Sequence, residues 1–169
     1  MSRNNPHKQW LRLGAVFYSQ TITCTDCTIN ALNNLLQRPK DKKITEKIML
    51  ALRRKNRKGT SVPVAEKGEQ GGLFVDWPQI LTIMLPHCSV IAGSGVTAGA
   101  AIANEMVYGF IANIQKDAAG HINHAVAVVR MEDKEFYLFD SLTCGPLKLT
   151  DHTMGRLCGA NIWAIVSNC

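Results

Sequence analysis

The sequence predicts a single α+β domain over residues 1–169, with N-terminal helices packed on a C-terminal antiparallel sheet. Three observations carry that prediction. Apolar residues recur at helical spacing before Cys88, short β-like runs dominate after it, and Gly, Asn and Asp separate those runs where turns are needed. Helices followed by strands, without βαβ alternation, is the order of a layered α+β fold. A chain of this length can bury a sizeable core in one unit.

Taken in order, WLRLGAVFYSQ has β-branched and aromatic character, and TITCTD after it is rich in residues that favour turns and helix caps. A helix should begin near Asp26. Ile29, Leu32, Leu35 and Leu36 share its apolar face, and Pro39 ends it, so Cys27 falls in the first turn. Ile44, Ile48, Met49 and Leu52 predict a second helix closed by Gly59, with lysines and arginines on its other face. Residues 59–72 (GTSVPVAEKGEQGG) are rich in glycine and charge and are expected to form a mobile surface loop. A third helix runs through DWPQILTIML, with Asp76 as its cap, Pro78 in its first turn and Pro86 beyond its end. The strands expected are CSVIAG, YGFIANIQ, HAVAVVRM, EFYLFDSL and NIWAIVSN, with MEDKE as a hairpin connection.

The net charge of +6 is unevenly placed. Ten basic residues between Arg38 and Lys58 face two acidic ones, Asp41 and Glu46, so this stretch carries +8 and the remainder is slightly acidic. It could meet an acidic partner, an acidic lipid or nucleic acid, but no aromatic residue interleaves the charges, which argues against base stacking. No stretch approaches the roughly 20 apolar residues of a membrane span, and MSRNNPHKQW is polar. A cytoplasmic location, or the host cytoplasm for a pathogen protein, is the expectation. Cys24, Cys27, Cys88, Cys144, Cys158 and Cys169 are then expected as free thiols.

A cysteine attacks as a thiolate, which the positive end of a helix and a nearby imidazolium both stabilise. Cys27 has that helix position. His124 opens the run HAVAVVRM and Asp140 closes FYLF, so a hairpin between these runs brings both side chains to one end of the sheet. The pattern predicts Cys27 as nucleophile, His124 as general base and Asp140 as the group that orients the imidazole. Other readings of the cysteines and histidines are a C-x-x-C redox pair of Cys24 with Cys27, and a zinc site adding His121 and His124. Neither fits as well, because no thioredoxin-like pattern surrounds the first and His124 leads an apolar strand. Asp140 read alone would be a strand-end cap. No metal or organic cofactor is expected.

CTINALNNLLQ from Cys27, HAVAVVRMEDKEFYLFDSLTCGP from His124 and the closing IWAIV together resemble the Josephin domain, a papain-like deubiquitinating fold. The resemblance extends over nearly the whole chain and is patchy between residues 38 and 70. It implies a Cys27, His124, Asp140 triad acting on ubiquitin or ubiquitin-like conjugates. The family places an oxyanion-binding glutamine five residues before the nucleophile, where this chain has Ile22. Gln20 lies two residues further upstream, so either the intervening loop is longer or another donor replaces it. The spacing from FYSQ to Cys27, followed by HAV and a strand-end aspartate, also resembles aphthovirus leader peptidases, and the DC before a helix with the later histidine and aspartate resembles bacteriocin-processing peptidase domains. Those likenesses keep the triad but imply the chain's own polyprotein, or a precursor, as substrate.

Overall fold

The computed structural model describes residues 14–20, 26–69, 71–92, 96–115 and 123–167. Its first helix, α1 (Cys27–Leu36), buries Ala31, Leu32 and Leu35 and ends at Gln37, which takes the left-handed conformation (φ 49°). There Gln37 N–H donates to the Asn34 carbonyl and Arg38 N–H to that of Asn33. The helix thus stops two residues before Pro39.

The second helix, α2 (Glu46–Ala51), is shorter than its apolar spacing predicts. Thr45 caps it, and the chain leaves the helix at Leu52 to form strand β1 (Arg53–Lys55), paired antiparallel with β2 (Ser61–Pro63). The reason lies in the intervening residues. Asn56 accepts from the N–H groups of Lys58 and Thr60 through its side chain, and Gly59 turns at φ 78°, so the NRKG segment closes a hairpin instead of capping a helix. The stretch expected as a mobile loop is likewise ordered over most of its length. It carries β2 and also β3 (Ala65–Lys67), which pairs with β4 (Leu73–Val75). Helix α3 (Trp77–Met84) follows as predicted, with the Asp76 side chain accepting from Gln79 N–H and proline in its first turn.

The strands β5 (Cys88–Ala92), β6 (Val107–Gln115), β7 (Asn123–Arg130), β8 (Phe136–Phe139), β9 (Leu147–Lys148) and β10 (Asn161–Ser167) make one antiparallel sheet in the order β5-β10-β6-β7-β8-β9. The segment between β7 and β8 is the expected hairpin, with Lys134 in the left-handed region (φ 68°). Two short helices that the β-like pattern concealed lie among these strands. They are α4 (Ala98–Ala103), four of whose six residues are alanine, and α5 (Asp151–Met154), which continues as a 3₁₀ turn to Leu157. Among the described residues no helix is long and apolar enough to cross a membrane.

Alternation along β6 and β7 divides the apolar residues between two cores. Ile111, Ala125, Ala127 and Val129 face α1, α2 and α3, where Leu32, Leu35, Met49, Ile80 and Leu81 complete a front core. Phe110, Ala112, Val126 and Val128 face the other way, against Ala98, Ala101, Leu138 and Leu157. Gly109 marks the closest approach: a Cβ there would lie 2.6 Å from the Val128 carbonyl oxygen and 3.0 Å from Leu35. Its absence lets α1 lie close over β6 and β7.

Candidate active site

The amides of the LNNLLQ segment fix what surrounds α1. Asn33 accepts from Ile44 N–H (2.7 Å) and donates to the Ile44 carbonyl (2.8 Å). Asn34 does the same to Tyr18, at 2.7 and 3.1 Å, and Gln37 to Val16, at 2.8 and 3.0 Å. Each side chain satisfies both backbone groups of one residue, as a neighbouring strand would. Val16 and Tyr18 are thereby clamped against α1, and Phe17 packs on Phe139 with ring centroids 6.2 Å apart. This chain direction delivers Gln20 to the end of β8. There Gln20 N–H donates to the Ser141 carbonyl (2.8 Å), and the Ser141 hydroxyl donates to Gln20 Oε1 (2.6 Å).

Asp140 follows the last residue of β8 in a tight turn. Leu142 N–H donates to its Oδ1 (3.0 Å) and Thr143 N–H to its main-chain carbonyl (3.0 Å), so Asp140 is a strand-end cap as well as a partner of histidine. The same Oδ1 lies 2.7 Å from His124 Nε2. The His124 side chain is 5 % exposed and that of Asp140 15 %, so the contact is largely withdrawn from solvent. With Nε2 engaged by the carboxylate, Nδ1 is the nitrogen left for Cys27, whose thiol is hydrogen-bonded to the His124 ring.

Burial pushes the Cys27 thiol up. The hydrogen bond to His124, a second from Ala125 N–H, the imidazolium charge and the Thr28 hydroxyl outweigh it, and the thiol ionises below its ordinary range. For His124, burial favours the neutral ring, but the hydrogen bonds to Asp140 and Cys27 and their negative charges prevail and raise its pKa to about 9. Burial also opposes ionisation of Asp140, yet the His124 hydrogen bond, Leu142 N–H and the charges of His124 and Arg156 hold its carboxyl below the usual carboxylate range. All three directions favour the same charge state: thiolate, imidazolium and carboxylate in a row. Cys27 also begins α1, where unpaired N–H groups favour negative charge.

The structure therefore brings Cys27, His124 and Asp140 together and places Gln20 beside Asp140 through Ser141. Ile22, Cys24, His121 and Cys169 lie outside the described residues. Among those described, Cys27, Cys88, Cys144 and Cys158 are free thiols, and no cluster of three or more metal-ligating side chains occurs. Ser141, Thr28 and the Ala125 N–H were not singled out by sequence reasoning. A main-chain donor has no sequence signature, but Ser141 beside a candidate Asp could have been read as a site hydroxyl.

Thr28 also ties the start of α1 to its surroundings, since its hydroxyl donates to the Leu73 carbonyl of β4 (3.5 Å). The next residue, Phe74, is 71 % exposed, and its ring lies over Gly68. Compared with protein-family models, curated proteins and solved structures, the chain matches none of them.

Proposed function

We propose that this chain is a papain-like cysteine peptidase that cleaves a peptide or isopeptide bond through an acyl-enzyme on Cys27. The single observation that carries the reading is the continuous contact from the Cys27 thiol through His124 to Asp140, 2.7 Å from Nε2, at the start of a helix. A structural cysteine has no need of a buried imidazole that is itself held by a carboxylate.

The Cys27 thiolate attacks the scissile carbonyl carbon, forming the C–S bond while the π electrons move onto oxygen. That oxyanion accepts from Cys27 N–H, which has no partner within the helix, and from the Gln20 side-chain amide, whose Oε1 is held by Ser141. When the tetrahedral intermediate collapses, the C–N bond breaks and the amine leaves with the proton from His124. Neutral His124 then takes a proton from water, whose oxygen attacks the thioester, and the thiolate departs. Asp140 keeps the imidazole in one tautomer and orientation through both steps.

Substrate identity rests on the resemblance of the LNNLLQ and DSLTCGP segments to Josephin domains, which favours a ubiquitin-like C-terminus. Ubiquitin carrying a C-terminal electrophile should form one covalent adduct, at Cys27, and Cys27→Ala should prevent it. Peptide mapping by mass spectrometry locates the adduct. If Cys27 instead alkylates no faster than Cys88 near neutral pH, the hydrolase reading fails. Fast alkylation with no ubiquitin-like probe attached retains the peptidase and removes only the substrate class.

A further inference from the structure

The basic stretch is not one helix face but is spread over three successive pieces: the 3₁₀ turn at Lys40–Lys42, α2 and the β1–β2 hairpin. Among the described residues, none of its ten cations forms an ion pair. Glu46 is occupied by Lys67 at 3.2 Å, and Asp41 pairs with no cation. Arg38 and Lys40 spend hydrogen bonds on main-chain carbonyls, of Lys42 and Phe17, leaving eight cations without a partner. Lys43 stands close enough to Lys40 to help depress its pKa, after burial, which is like-charge crowding inside the patch.

The hairpin gives part of this charge a fixed geometry. Arg53 and Lys55 are exposed on one face of β1, roughly 6.7 Å apart along an extended strand. Arg57 and Lys58 are exposed at a tip that Asn56 closes with its side chain and with the Asn56 N–H bond to the Thr60 carbonyl (2.9 Å). No Phe, Tyr, Trp or His occurs between residues 38 and 63, so the stretch itself carries cations and amides but no ring on which a base could stack. A stacked duplex, whose bases stay inside and whose backbone is a dense line of phosphates, suits such a surface.

We propose that the β1–β2 hairpin and the adjoining α2 surface bind the phosphate backbone of double-stranded nucleic acid without sequence preference. Among the described residues, no hydrogen bond or ion pair of Cys27, His124 or Asp140 involves a residue of the hairpin. The binding does not depend on the proposed hydrolysis.

The test is fluorescence anisotropy of the full chain with a labelled 20-base-pair duplex between about 50 and 200 mM salt. Log affinity should fall linearly with log salt, by roughly 0.9 per phosphate neutralised. The variant Arg53→Gln/Lys55→Gln/Arg57→Gln/Lys58→Gln should flatten that slope by about 3 to 4 and weaken binding more than tenfold at low salt. A charge-keeping variant, Arg53→Lys/Arg57→Lys, should retain the slope, and circular dichroism checks that both variants fold. An unchanged slope in the glutamine variant overturns the proposal. So does tighter binding to polyglutamate, which would make the partner an acidic protein, or to phosphatidylserine vesicles, which would make it a membrane.

Discussion

At the scale of single residues, one oxygen of Asp140 closes its own turn and holds His124, so its charge sets how long the imidazole keeps a proton. Cys27 and His124 titrate as a pair, and the reactive state is thiolate with imidazolium. Activity should rise as Cys27 ionises, below the ordinary thiol range, and fall as His124 loses its proton near pH 9. Stability follows the same groups. The raised pKa of His124 contributes stability that is full below about pH 6.5 and lost as pH rises through about 9. The depressed pKa of Asp140 contributes stability that is present above the ordinary carboxylate value and lost as pH falls through the folded one. Asp140→Asn keeps an acceptor in its amide oxygen but removes the charge. It should lose less activity than His124→Ala, and its alkaline limb should move to lower pH in a profile of kcat/KM. A limb that stays in place would mean that Asp140 does not hold the proton on His124. Gln20→Ala should lower kcat by about 100-fold with little change in KM, as expected for a donor that acts on the oxyanion; a loss confined to KM would reassign Gln20 to substrate binding.

At the scale of elements, the amide side chains of α1 matter as much as its apolar face. Asn33 and Asn34 are almost wholly buried, in a helix for which asparagine is a poor former. Their return is the two-sided grip on Ile44 and Tyr18, which fixes both neighbouring segments against α1. Asn34→Ala leaves the Tyr18 N–H and carbonyl without partners and should destabilise the fold by about 2–4 kcal/mol, read as a lower urea midpoint with unchanged m. It should also slow turnover at temperatures where the protein is fully folded, because Gln20 is reached through Tyr18. Normal turnover in the folded variant would show that Ser141 alone places Gln20. None of this was legible in the sequence, where LNNLLQ stands out as a resemblance but not as three clamps, since both partners of each clamp are main-chain atoms distant in sequence. The convergence of Cys27, His124 and Asp140 was legible because their placement follows from local rules: a cysteine at a helix start, and a histidine and an aspartate at adjoining ends of a hairpin. The hairpin β1–β2 was hidden because RRK carries neither apolar alternation nor β-branched residues, and its strand character comes from Val62 across the pair. Helix α4 was hidden by length, its six residues being too few to show a period.

Across the whole molecule, the sheet is a partition. Its front core seats α1 and therefore Cys27, while its back core, around Phe110, holds α4 and the turn at Leu157. Phe110 and Ile111 are adjacent, fully buried and pointed to opposite sides, so the two cores meet at the backbone of β6 and share no side chain there. Truncating either core should cost comparable stability: about 3–5 kcal/mol for Phe110→Ala and 2–5 for Leu32→Ala, a large share of the 5–15 typical of a domain. Their effects on chemistry should differ. A cavity behind the sheet leaves His124 and Ala125 held by the β6–β7 ladder, β7 joined to β8 from Ala127 to Arg130, and Asp140 fixed by its own turn. A cavity beneath α1 invites the helix to settle toward the sheet, and Cys27 moves with it relative to Ala125 N–H and Nδ1. Contacts of this kind weaken steeply with distance and angle, so a shift of a few tenths of an ångström raises the thiol pKa. The measurement is the pH dependence of Cys27 alkylation, taken well below each variant's melting temperature so that only folded protein reacts. Phe110→Ala should melt earlier with an unchanged midpoint, and Leu32→Ala should melt earlier with its midpoint moved upward. Equal shifts in both variants would mean that the sheet transmits packing from its back face to the site, and that the two cores behave as one.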